Sequence, residues 1–144
     1  MNNSEQREYK LKEMTISLTA DNIVESIFNE NVKELTMEGV EESMNALRAL
    51  NKINSKPKGG LTEMPSFYVN KKIVQQYTTT NVLMPVALGI VAESFAARLM
   101  GNLFLTLRER FWSSKEDYPV KVFKEREEAL EWVRGYVRKA SRGE

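Results

Sequence analysis

The stretch that most constrains the fold is residues 82–92, "VLMPVALGIVA", followed by the largely apolar "ESFAARLMGNLFLTLRERFW". An unbroken apolar run of strand length, bounded by "TTTN", is the pattern of a strand covered on both faces, as in parallel sheets flanked by helices. The residues after it change to helical spacing, with Phe95, Leu99, Leu103 (or Met100) and Leu107 on one stripe widened by Phe104 and Phe111. A membrane span is the competing reading of 82–107. Pro85, Glu93, Arg98 and Asn102 argue against it, because charged and polar groups near a bilayer centre are costly. A buried strand leading into a long helix is the reading adopted, and no stable membrane insertion is expected.

The rest of the chain alternates in the same way. Met14–Leu18 and Ile23–Phe28 are short apolar runs separated by Ala20-Asp21-Asn22, turn chemistry that predicts an opening β-hairpin. Met37, Val40, Met44, Leu47 and Asn51 recur at helical spacing behind the candidate cap Thr36, and "NSKPKGG" breaks that helix after Ile53. A short strand is expected over 60–64, then a short helix opened by Asn70 and carrying Val69, Ile73 and Tyr77 on one side. "VKVF" predicts a strand after a loop. "EREEALEWVRGYVRKA" predicts a closing helix, acidic in its first turns and basic in its last, with Ala129, Val133, Tyr136 and Val137 as its core stripe. The order β-β-α-β-α-β-α-β-α gives an α/β fold with one mixed sheet of about five strands and about four helices. Residues 1–11 are expected to be a polar N-terminal tail and 12–140 a single domain.

Composition removes much chemistry. The 144 residues include no Cys and no His, which excludes disulfides, thiol nucleophiles, Cys-based zinc sites and every imidazole-dependent catalytic set. The net charge is +1, with 10 Lys+Arg against 11 Asp+Glu in residues 1–72 and 11 against 9 in residues 73–144. Neither half carries the basic footprint of a nucleic-acid binder. The polar start "MNNSEQREYKLKEM" lacks the apolar core of a secretory signal, so a cytoplasmic location is expected. No metal or cofactor motif is present, and the expected cofactor set is none.

Three groups of residues merit weighing as sites. Asn70, Lys71 and Lys72 stand at a helix N-terminus, where free N–H groups and the positive dipole end attract small anions or nucleotide phosphates. The competing role is a helix cap followed by two solvated lysines. Tyr68 and Trp112 fall off their stripes and, with Phe111, are candidate partner-binding residues; core packing is the competing role for Phe111 and Phe67. Lys72, Tyr77 or a glutamate would have to carry any enzymatic chemistry. Glu125, Glu127, Glu128 and Glu131 are explained as surface charge matched to the helix dipole. Met37, Met44, Met84 and Met100 read as core filler.

The C-terminal part, "VALGIVAESFAARLMGNLFLTLRERFWSSKEDYPVKVFKEREEALEWVRGYV", resembles the SpoIIAA-like branch of the bacterial STAS domains. Its apolar strand, the helix carrying "GNLFL", the Tyr-Pro turn, the strand ending in Phe and "EEALEWV" carry the likeness over about residues 84–137, and the element order extends it to Met14–Val137. The resemblance implies a regulatory, non-enzymatic module that binds a protein partner or an apolar small molecule; the large apolar surface of the Phe95–Phe111 helix beside the 82–92 strand leads us to expect homodimerisation through that helix. In anti-sigma-factor antagonists of that family, the turn before the second helix carries a serine that a kinase phosphorylates. The matching stretch here is "SFYVNKKI", where Asn70 stands in place of the family's Asp and Lys71-Lys72 in place of its serines. The resemblance therefore implies a member without the phosphorylation switch.

Overall fold

The computed structural model describes residues 6–80, 82–111 and 118–143, with the Phe111 side chain outside that description. Among the described residues ten elements follow one another: β1 (Glu8–Lys10), β2 (Met14–Leu18), β3 (Ile23–Phe28), α1 (Met37–Asn51), β4 (Gly59–Glu63), α2 (Lys71–Thr79), β5 (Leu88–Val91), α3 (Phe95–Phe111), β6 (Val120–Phe123) and α4 (Arg126–Ser141). The strands form one mixed sheet in strictly sequential order, β1 to β6. β1, β2 and β3 pair antiparallel, and β3 through β6 pair parallel. The expected hairpin is β2–β3. Asn22 takes a left-handed backbone at φ 64° in its turn, which an Asn tolerates better than most residues.

The sheet has six strands, where about five were expected. The additional one is β1, within the segment read as a polar tail through residue 11. It lies at the sheet edge, pairing Tyr9 with Ile16 and Glu8 with Ser17. Its three residues turn only Tyr9 toward the core, so no apolar alternation marks it in the sequence.

Side-chain alternation along the strands sends two different sets of residues to the two faces. Ile23, Leu61 and Val91 form one apolar cluster with Ala129, Leu130, Val133 and Val137 of α4. Met14, Ile16, Leu18 and Val24 meet Ala46 and Leu50 of α1 on the opposite face, and α2 and α3 continue that layer. The sheet is thus sandwiched, with α4 alone on one face and α1–α3 on the other.

Small residues set how closely the helices approach. "KGG" reads as a breaker in the sequence, yet Gly59 and Gly60 open β4. A Cβ at Gly59 would run into Val133 and approach Val137 to 2.9 Å, so glycine is what lets α4 lie flat on the sheet. Gly89 repeats the arrangement on β5, where a Cβ would sit 3.0 Å from Val133. α3 uses the same device: Gly101 faces Met64, Val122 and Ile90. Because Ala97 and Gly101 face inward, the stripe expected to be core is rotated outward at its start. Phe95 is 70% exposed and Leu99 54%, while Leu107 is buried. Met37 and Met84 are also exposed rather than core, whereas Met44 is buried as expected. In the 82–92 run only Leu88–Val91 is strand.

Ion pairs fasten α4 from outside. Arg126 grips Glu25 of β3 through two hydrogen bonds of 2.6 and 2.9 Å, and Arg134 reaches Asp21 of the hairpin turn at 2.8 Å. Thr19 and Arg134 both donate to the Asp21 carboxylate and hold its pKa below the usual value.

Candidate functional site

Between the sheet and α1–α3 lies a cavity of about 170 Å³. Its floor is the sheet face that alternation aims away from α4, carrying Ile16, Val24, Ser26 and Thr62. Its walls come from the helices, through Ser43 and Leu47 of α1, Val74 and Tyr77 of α2, and Met100 and Phe104 of α3. The parallel crossovers β3–α1–β4, β4–α2–β5 and β5–α3–β6 place these helices on this side of the sheet, and the space lies between them and the strands.

Most of the lining is apolar; its polar side chains are Ser26, Thr62 and Glu63 on the strands and, in one corner, Ser43 and Tyr77 on the helices. Ser43 Oγ and Tyr77 Oη lie 3.3 Å apart, joining α1 to α2. Ser43 is 1% exposed and Tyr77 half-buried. Burial pushes the Tyr77 phenol above its ordinary value of 10.0; the hydrogen bond with Ser43 works against this, and the negative charge of Glu13 adds to it.

Glu13 itself is the most unusual side chain of this face. It follows β1 in the turn to β2 and is 6% exposed. One carboxylate oxygen, Oε2, accepts hydrogen bonds from the Thr36 backbone N–H at 3.1 Å and the Thr36 hydroxyl at 2.6 Å. Thr36 caps α1, its hydroxyl oxygen accepting from the Gly39 N–H at 3.0 Å. A carboxylate at a helix N-terminus is favoured by the exposed N–H groups and the dipole. Its other oxygen, Oε1, has no hydrogen-bond partner and lies where a Cβ of residue 39 would be. Gly39 therefore makes the room that Glu13 occupies, and Ser43 stands one helical turn further on the same face.

Apart from Tyr77, the sequence-derived candidates sit elsewhere. Asn70 caps α2, its side-chain oxygen accepting from the Lys72 N–H at 2.7 Å, and the Lys71 and Lys72 side chains are exposed. The side-chain cap thus engages one of the N–H groups that an incoming anion would use. Tyr68 is 77% exposed, and its neighbour Phe67 packs edge-on against Phe28 at 6.1 Å between ring centroids. The Phe111 side chain and all of Trp112 lie outside the described residues. Among the described residues no group of three or more acidic side chains could hold a metal ion, and no helix is long and apolar enough to cross a membrane.

Sequence reasoning found Tyr77 but not its partner. Ser43 and Tyr77 are 34 positions apart, and no local spacing announces such a pair. The available signal was Gly39 and Ser43, two small residues four apart beside the apolar stripe of α1. Glu13 gave no signal, since "LKEM" reads as any polar turn. No family model matches the chain, and no curated protein or solved structure matches it either.

Proposed function

We propose that the chain is a non-enzymatic binding module of STAS-like (SpoIIAA-like) fold that works in the cytoplasm by holding an apolar small molecule between its sheet and α1–α3, without a serine phosphorylation switch. The observation that carries the reading is the cavity. Its about 170 Å³ is comparable with apolar cavities of about 150 Å³ that stay dry and take up a benzene-sized guest. An empty apolar space of this size costs stability unless something occupies it. The absence of Cys and His, together with lysines and an asparagine at the α2 turn, fits a module that binds rather than reacts.

Ser26→Leu provides the test, because it adds apolar volume to the cavity floor. The chain purified from its native cells is expected to release a small apolar compound detectable by mass spectrometry, and 1,4-dimethylbenzene is expected to raise the melting temperature of the emptied protein. Ser26→Leu should abolish both effects while leaving the fold intact. A wild-type chain that carries nothing and gains no stability at saturating 1,4-dimethylbenzene would sink the reading.

A second reading, a protein-binding surface, is favoured by Tyr68, Phe95 and Leu99, large apolar side chains that face solvent. Phe95 and Leu99 are one turn apart on α3, the helix through which homodimerisation is proposed. Sedimentation at high concentration tests it: a strict monomer rules out the dimer.

A further inference from the structure

The polar corner of the cavity says more about the occupant than its volume does. A serine and a tyrosine hydroxyl each offer one O–H and two acceptor lone pairs. The Ser43–Tyr77 hydrogen bond uses one hydrogen and one lone pair, and among the described residues neither hydroxyl makes another hydrogen bond. One O–H and several lone pairs are left at the wall of a mostly apolar cavity, where an unmade hydrogen bond is costly. The contact of 3.3 Å is long for two hydroxyls, which prefer about 2.7–2.8 Å, so both can turn toward a third oxygen without separating.

Charge narrows the guest further. Glu13 lies against Gly39, one turn from Ser43, and is close enough to act on the Tyr77 phenol. An anionic head group would meet that negative charge in a medium that screens it poorly. The one carboxylate of the lining, Glu63, accepts a hydrogen bond from the Phe28 backbone N–H at 3.2 Å and makes none with Ser43 or Tyr77, so a cationic head group would find no carboxylate joined to the polar corner. The remaining walls, Ile16, Val24, Met100 and Phe104, ask for hydrocarbon.

We propose that the occupant is a small uncharged molecule with an apolar body of about one substituted ring and a single hydroxyl, and that Ser43 and Tyr77 hold this hydroxyl between them. The proposal rests on the small-molecule reading above and adds the chemistry of the head group. In the bound state Tyr77 and Ser43 together donate to and accept from the guest hydroxyl, so all three oxygens are satisfied.

The probes are 4-methylphenol and 1,4-dimethylbenzene, which share shape and differ by hydroxyl against methyl. Affinities for both are measured by calorimetry on the wild-type chain, Tyr77→Phe and Ser43→Ala. The ratio favouring 4-methylphenol is expected to fall about fivefold in each variant, the effect of one neutral hydrogen bond. Tyr77→Phe keeps the ring and Ser43→Ala the helix, so either suffices if the other fails to fold. In the wild-type chain, 4-methylphenol should also shift the Tyr77 ring NMR signals more than 1,4-dimethylbenzene does. Binding of both probes with an unchanged ratio, or equal ring shifts, overturns the head-group assignment and leaves the cavity reading standing. Binding of neither probe overturns both.

Discussion

The two faces of this sheet are packed in opposite ways. On the α4 face, Gly59 and Gly89 remove side chains so that Val133 and Val137 can press onto the strands, and Arg126 and Arg134 clamp the helix from outside. On the α1–α3 face Gly101 brings α3 close at one point, yet a mostly apolar space remains between the strands and Ser43, Tyr77, Met100 and Phe104. The same strands serve both, which teaches that the cavity is not looseness of the whole domain. One face holds the fold together so that the other can be left incompletely filled.

That contrast can be broken by overfilling each face in turn. Gly59→Leu should show the largest effect, a destabilisation of about 3 kcal/mol or more by urea denaturation, because Val133 and Val137 have nowhere to go. Ser26→Leu on the other face should cost less than about 1 kcal/mol or stabilise, since it fills existing space. Equal costs would mean that the two faces are packed alike.

The polar corner sharpens the comparison. Gly39→Ala should cost about 2 kcal/mol, because its methyl takes the place of the Glu13 carboxylate. If displacement of Glu13 is the cause, adding Glu13→Ala to Gly39→Ala should cost less than the sum of the single changes, as residues sharing one space do. A simple sum would show that Gly39 acts through something else.

The smallest effect is a pH dependence confined to the cavity face. The folded-state pKa of Tyr77 is raised above 10.0, so folding favours the neutral phenol. Its contribution is complete below pH 10 and is lost as pH rises through the higher folded value. Tyr77→Phe should flatten this alkaline loss in a denaturation series, and an unchanged slope would place the effect on other groups.

Much of the architecture was legible because it rests on periodicity. The β2–β3 hairpin follows from two apolar runs around Asp21-Asn22, and α1 and α4 follow from their stripes and their charge polarity. The α4 stripe differed only at its edge, where Leu130 is buried and Tyr136 half-buried. What was not legible depends on contact between distant residues. Gly59-Gly60 looks like a break until Val133 is known to lie above it. Phe95 and Leu99 look like core until Ala97 and Gly101 are known to face the sheet. β1 escapes because three residues with one inward tyrosine carry no period. The cavity escapes for a deeper reason: a pattern of apolar residues tells which side faces in, not whether the inside is full.

The sequential strand order has a consequence for how the molecule comes into being. Each new strand is laid beside the one made just before it, so most of the sheet can assemble as the chain emerges, with little rearrangement. The face formed by Ile23, Leu61 and Val91 is different, because its cover, α4, is the last of the ten elements to be synthesised. Until that helix leaves the ribosome, the apolar ground that Gly59 and Gly89 keep open for Val133 stays uncovered, so a slow ribosome would leave this face exposed longest.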